Sequence, residues 1–175
     1  MKKRTSVSLL VLAMLLVISP CVNAESARNQ TATLKGIESL YVVIKKLQPD
    51  ATEVGLTSTM VRKDIELKLK GAGIPVPFAL IGNEDPYLNV VINVSYNKSN
   101  DFVYYAIHIS LMQRVALVRN STLSCSAMTW FKSSTGGATK RESVRSMRDE
   151  INKYVDQFLN DYRAANPKKT MKKGG

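Results

Sequence analysis

The chain has 175 residues, with 25 Lys+Arg against 14 Asp+Glu, one His, two Cys and a formal net charge of +11. A 45% hydrophobic, 22% charged composition is that of a globular protein and excludes wholesale disorder and collagen-like or coiled-coil fibres, while the length predicts one domain. Two cysteines and one histidine cannot supply a Cys/His zinc site or a disulfide scaffold.

Residues 1–24 read as a cleaved secretory signal peptide. Met1-Lys2-Lys3-Arg4 is a charged start, Ser8 to Ile18 is an apolar run, and Pro20 breaks it before Val22-Asn23-Ala24. That is the charged, apolar and small-residue order of an export signal, with Val22 and Ala24 at the −3 and −1 positions. The apolar run falls short of the ~20 residues that a spanning helix needs. Cys21 follows Pro20, not the Gly or Ala of a lipoprotein signal, so lipidation is not expected. Cleavage after Ala24 leaves Cys125 as the only thiol and the core as the source of stability. The short Lys-rich start is bacterial in style, which makes the periplasm the expected destination and secretion the second choice.

Residues 25–36 are polar and aperiodic, expected as a flexible lead-in to a single domain over 37–166. Ile37 to Leu47 predicts an interior strand, ended by Gln48-Pro49-Asp50. Thr57 caps a helix with an apolar stripe of Met60, Val61, Ile65, Leu67 and Leu69, and Gly71-Ala72-Gly73 stops it. Phe78 to Pro86 reads as a connection. Tyr87–Tyr96 alternates as a strand, Asn97–Asp101 turns the chain, and Phe102–Val118 returns as the second arm of a hairpin. A turn at Arg119-Asn120-Ser121 leads to a strand over Leu123–Lys132. Ser133-Ser134-Thr135-Gly136-Gly137 reads as a loop. A final helix opens on the Thr139/Glu142 capping box, carries Val144, Met147, Ile151, Tyr154, Val155, Phe158, Leu159 and Tyr162 at spacings of three and four, and stops at Asn166-Pro167. Residues 167–175 are expected as a disordered basic tail. There is no internal repeat.

The order β-α-β-β-β-α predicts an α+β fold: a two-layer α/β sandwich whose mixed four-stranded sheet carries both helices on one face. The stretch Ile37–Val76, with its Gly55-Leu56-Thr57 and Gly71-Ala72-Gly73-Ile74-Pro75-Val76 segments, resembles the first half of small α/β domains in bacterial envelope proteins. These include the amino-terminal domain of the Tol translocation protein TolB and the curli-secretion lipoprotein group. The resemblance implies an adaptor or assembly role in the envelope and transfers no functional residue.

No catalytic constellation emerges. His108 lies in a strand pattern without a G-x-S-x-G turn, and its parity opposes that of Cys125, which reads as a small buried hydrophobe. The acid pairs Glu84-Asp85 and Asp149-Glu150 are adjacent, not facing, and Gly136-Gly137 lacks the lysine and spacing of a phosphate loop. The chain is therefore expected to be no enzyme and to hold no cofactor or metal. The candidate functional feature is the sheet face away from the helices, where Tyr87, Val91, Phe102, Tyr104, His108, Met112, Met128 and Trp130 are expected to share a mixed aromatic and polar surface. Trp, Tyr and Met are enriched at interfaces, so an envelope protein or a second copy is the expected partner. An anionic lipid, lipopolysaccharide or other polyanion is the alternative. Nucleic acid is excluded by export. The charge of +11 falls by the three cations of Lys2, Lys3 and Arg4 and by the four of Lys168, Lys169, Lys172 and Lys173, leaving +4 for the chain between them.

Overall fold

The computed structural model describes residues 28–77 and 86–167. The expected export signal, the start of the lead-in, nearly all of the connection beginning at Phe78 and the basic tail from 168 onward lie outside the described residues. The elements are β1 (Tyr41–Ile44), α1 (Pro49–Glu53), α2 (Ser58–Gly71), β2 (Tyr87–Asn97), β3 (Phe102–Leu117), β4 (Asn120–Thr139) and α3 (Lys140–Ala165). The strands form one sheet in the order β1-β2-β3-β4, parallel between β1 and β2 and antiparallel thereafter. This is the expected α+β arrangement.

The core is built from strand parity and helical period. Leu88, Val90, Ile92 and Val94 of β2 lie beside Leu111, Ile109, Ile107 and Tyr105 of β3 in register, and all but the half-buried Tyr105 are buried. Val61, Ile65 and Leu69 of α2, each four residues apart, cover this face with Met147, Ile151, Tyr154, Val155, Phe158 and Leu159 of α3. Met60 and Leu67, expected in the α2 stripe, lie off that row and are exposed. The two helices are bridged by Arg148, whose Nε and Nη2 donate to both Asp64 oxygens at 2.7 and 2.9 Å, and by Lys68 to Asp156.

Both helix starts follow from local chemistry. Thr57 Oγ1 accepts the Met60 amide at 3.2 Å, as an N-cap should. At α3 the expected capping box closes differently: the Thr139 hydroxyl donates to the Glu142 carboxylate at 3.0 Å and takes no backbone amide.

Four expectations about boundaries are corrected. The first strand is 41–44, not 37–47, because its partner β2 begins at Tyr87, opposite Tyr41. Pro49 does end the extended run, yet it opens α1, where a missing amide costs nothing. Beyond β1, Gln48 Oε1 and Asp50 Oδ2 accept the Val94 and Tyr96 amides at 3.2 and 2.9 Å, so side chains replace a strand along the β2 edge. The lead-in is anchored from residue 28 onward: residues 28–32 are helical, Leu34 is fully buried, and Asn166 holds the Gly36 amide and the Leu34 carbonyl. The turn between β3 and β4 is at Val118-Arg119, one residue earlier than expected.

The fourth and largest correction concerns Ser133–Gly137, which is strand, not loop. Its small residues are needed because aromatic side chains of β3 lie across β4, Tyr105 over Gly136 directly opposite it and Phe102 diagonally over Gly137. A Cβ on Gly136 would stand 2.6 Å from the Tyr105 ring, and one on Gly137 2.5 Å from the Phe102 ring. Glycine thus marks close approach of a ring to the backbone, not a chain reversal. Gly137→Ala should therefore destabilise the fold by about 1–3 kcal/mol in urea titration. Combining it with Phe102→Ala should recover part of that loss in a double-mutant cycle.

Candidate interaction surface on the open sheet face

The rows of side chains on the face away from the helices can be read directly from the register. Tyr41, Tyr87, Met112 and Met128 form one row across all four strands. Asn89, Ser110 and Phe131 form the next, followed by Val91, His108 and Ser133, then Asn93, Ala106 and Thr135, then Ser95, Tyr104 and Gly137. Phe102, opposite Asn97 and Thr139, closes the end.

Seven of the eight expected surface residues therefore share this face: Tyr87, Val91, Phe102, Tyr104, His108, Met112 and Met128. The eighth, Trp130, does not. Met112 pairs with Met128 but Leu111 pairs with Trp130, so Thr129 is an extra residue on β4. One bulged residue reverses the alternation that otherwise puts residues two apart on one face. Trp130 turns under the helices, fully buried, its ring edge-on to Phe158 at 5.2 Å and 83°. Its indole N–H donates to Asp161 at 2.8 Å, which satisfies the one polar atom that burial of a tryptophan exposes to cost. The same reversal carries Phe131 onto the open face, 41% exposed, where strict alternation from Leu123 would not place it. The missing signal was local: Thr129 sits between two residues whose sizes suit either face.

The surface has relief. A hollow of about 630 Å³ crosses β2, β3 and β4 where the side chains are small, at Asn93, Ser95, Ala106, Thr135 and Gly137. Phe102 and Tyr104 wall it, tilted at 58° with ring centres 5.0 Å apart, and Tyr104 is 52% exposed. Farther along, the His108 and Phe131 rings stack at 6.0 Å and 18°. The Asn89 side-chain oxygen is buried beside this row without a hydrogen-bond partner.

The chemistry of the face is apolar and weakly polar. No strand of the sheet contains an Asp or Glu, so the strands offer His108 no carboxylate to orient it. Cys125 is exposed, not buried as expected, because it lies opposite Val115 in a part of the β3–β4 hairpin that β2 does not reach. It stands on the opposite face from His108. Among the described residues no cluster of three or more His, Cys, Asp or Glu side chains could hold a metal, and no helix is long and apolar enough to cross a membrane. The perturbed acid, Glu150, lies in α3 on the other side of the sheet. Burial pushes its carboxyl up, but hydrogen bonds from Tyr154 and Lys153 and the Lys153 charge outweigh burial and hold it below its ordinary range. Burial raises the Tyr105 phenol, with the Glu150 charge adding to it.

No protein-family model and no curated protein matches the chain. Solved structures with a similar chain path include a minor lipoprotein from Acinetobacter baumannii, at 8% identity and TM-score 0.41, covering 74% of this chain and 93% of that one. The PelC dodecamer from Paraburkholderia phytofirmans aligns at 19% identity and TM-score 0.43, covering 70% and 86%. An uncharacterized protein aligns at 12% identity and TM-score 0.40, covering 73% and 94%. Likenesses at this level assign this chain neither an activity nor a partner.

The two faces make opposite demands on mutation. Trp130→Ala should lower the unfolding free energy by about 3–5 kcal/mol, because it empties a core site and strands Asp161. Tyr104→Ala should stay within about 0.5 kcal/mol of the parent. Chemical denaturation of the two variants side by side checks the assignment, and equal losses would contradict it.

Proposed function

We propose that this chain is an exported, periplasmic, non-catalytic protein of the bacterial envelope that acts through protein contacts in envelope assembly or maintenance. The observation that carries the reading is the open face: Phe102 and Tyr104 wall a hollow floored by small residues, and His108, Phe131, Met112 and Met128 lie farther along the same face, with no carboxylate from the strands. Half-exposed aromatic and methionine side chains around a recess are the anchors and pockets on which protein interfaces concentrate their binding energy. Export is supported by the sequence order of residues 1–24, and the envelope setting by the resemblance of Ile37–Val76 to small envelope domains.

The reading separates from a catalytic one by its chemistry. A hydrolase of the Ser-His type needs its histidine beside a nucleophile and an orienting acid, and His108 is flanked in register by Val91 and Ser133 on strands that bear no acid. An aromatic contact of this kind should be insensitive to salt, since little of it is electrostatic.

The test has two readouts. After osmotic shock the protein should appear in the periplasmic fraction. Protein captured from that fraction by the wild type should be lost with Tyr104→Ala/Phe131→Ser while the thermal midpoint is retained. Retention in the cytoplasm would overturn the export part. An unchanged set of captured proteins together with an unchanged sedimentation profile would overturn the role of this face.

A further inference from the structure

The open face carries a projection and a recess on the same strands. The projection is the His108–Phe131 pair, stacked at 6.0 Å and 18°, with Phe131 41% exposed. The recess is the hollow of about 630 Å³ over Asn93, Ser95, Ala106, Thr135 and Gly137, walled by Phe102 and Tyr104. About 150 Å³ is enough for one benzene ring, so the hollow has room for both rings of such a pair.

The two features are placed symmetrically. The six rows of the face run from Tyr87, Met112 and Met128 at one end to Asn97, Phe102 and Thr139 at the other. The stacked pair takes the second and third rows, and the hollow the fourth and fifth. The midpoint of the face therefore falls between His108 and Ala106, with projection and recess each centred about 7 Å away at ~3.3 Å per residue. A two-fold axis through that point, in the plane of the face and at right angles to the strands, puts each projection into the recess of the other copy. β3 then runs antiparallel over β3, and β4 over β4. His108 comes over Ala106, and Phe131 comes over the Gly137 end, against the Phe102 ring that lies on that glycine. Tyr104 comes to the flank of the stacked pair, over the buried Ser110. Met112 comes over Phe102, a favourable sulfur–ring contact. An axis along the strands would instead set His108 on His108 and Tyr104 on Tyr104, with both recesses empty.

Charge and area favour the same pairing. None of the side chains in the six rows is an Asp, Glu, Lys or Arg. A two-fold contact presents a surface to its own copy, so like charges would repel across it, and this face has none to repel. The first charged side chain on this side of the strands, Arg114, stands one row past Met112, on the two-stranded arm where β3 runs on with β4 alone. Rows about 6.7 Å apart and strands about 4.8 Å apart outline a patch of about 40 by 15 Å. Over two copies that is about 1,200 Å², above the ~1,000 Å² expected of a specific interface.

Resting on the protein-contact reading of the open face, we infer that its partner is a second copy of this chain. Two sheets stack face to face about 10 Å apart, their strands within about 30° of antiparallel, and each hollow receives the His108–Phe131 pair of the other copy.

Sedimentation velocity of the purified protein at micromolar concentration should show a species of two copies and none larger, because a two-fold contact closes on itself. His108→Ala/Phe131→Ser removes the projection, and Thr135→Trp fills the recess. Each should weaken pairing at least about tenfold with the thermal midpoint retained. Ala106→Trp, which fills the same recess from β3, should behave as Thr135→Trp does. Mixed in equal amounts, the projection-less and recess-filled variants should pair again. The intact projection of one enters the open recess of the other, and the added tryptophan takes the space where the other has no rings. A monomeric wild type, growth beyond two copies, pairing that survives in both kinds of variant, or a mixture that stays monomeric would each overturn the proposal. A monomeric wild type whose captured periplasmic proteins still depend on Tyr104 and Phe131 would overturn the pairing and leave the protein-contact reading standing. Variants that change neither capture nor sedimentation would overturn both.

Discussion

One inserted residue governs the layout of β4. Thr129 has no partner of its own between the Leu111–Trp130 and Met112–Met128 pairs, and that extra step decides which side chains face the helices. Without it, Trp130 would stand in solvent, Phe131 would point at the helices, and Phe158 would lack the ring it meets edge-on. The bulge is held from two directions. Gln113 grips the Thr129 hydroxyl, while Thr33 of the amino-terminal segment hydrogen-bonds the Thr129 carbonyl at 3.4 Å and Gln30 accepts the Phe131 amide at 3.3 Å. The segment before β1 is therefore part of the sheet's edge. Its anchoring at the far end, where Tyr162 donates to the Ile37 carbonyl at 2.9 Å, ties the bulge to the carboxyl end of α3.

This dependence explains what could be read from the sequence. The helices α2 and α3 and the strands β2 and β3 were legible because each has an unbroken period: Leu88, Val90, Ile92 and Val94 alternate without interruption, and Met147, Ile151, Tyr154 and Phe158 recur every three or four residues. Seven of the open-face residues were placed correctly for the same reason. β4 was not legible past Thr129, since alternation carries no mark of a bulge and parity arguments propagate one error to every later residue. Gly136 and Gly137 misled in a different way. Their composition is that of a turn, yet their function is to let the Phe102 and Tyr105 rings lie on the strand, and such a contact between strands leaves no local trace. Cys125 was misplaced because alternation gives a side chain's face and not whether any layer covers that face; here the helices stop short of the arm.

The sheet's edges follow one logic as well. An unpaired strand edge invites pairing with another chain, and three of the exposed edges are met by side chains. Arg62 Nη1 donates to the Val42 carbonyl of β1 at 2.8 Å, Gln48 and Asp50 take the β2 amides, and Gln30 takes that of Phe131. Lys132, pointing to the helix side beside Trp130 at 5.8 Å from its ring, places a charge within the edge strand itself, a further obstacle to another strand docking there.

The division of charge separates the helical layer from the open face of the sheet. Acids sit in the helices, the turns and the segments between them, where they meet bases across short distances, as Asp64 meets Arg148 and Asp156 meets Lys68. Such exposed or half-exposed pairs contribute little to stability each, but they neutralise the helical layer. The strands carry cations alone. Over the broad sheet this leaves the open face nearly uncharged, since Lys132 turns to the other side, and its aromatic rims can be desolvated at low cost. One feature of the sequence, a run of forty residues from Phe102 to Arg141 without an acid, therefore yields a nearly neutral apolar recess where the strands are broad.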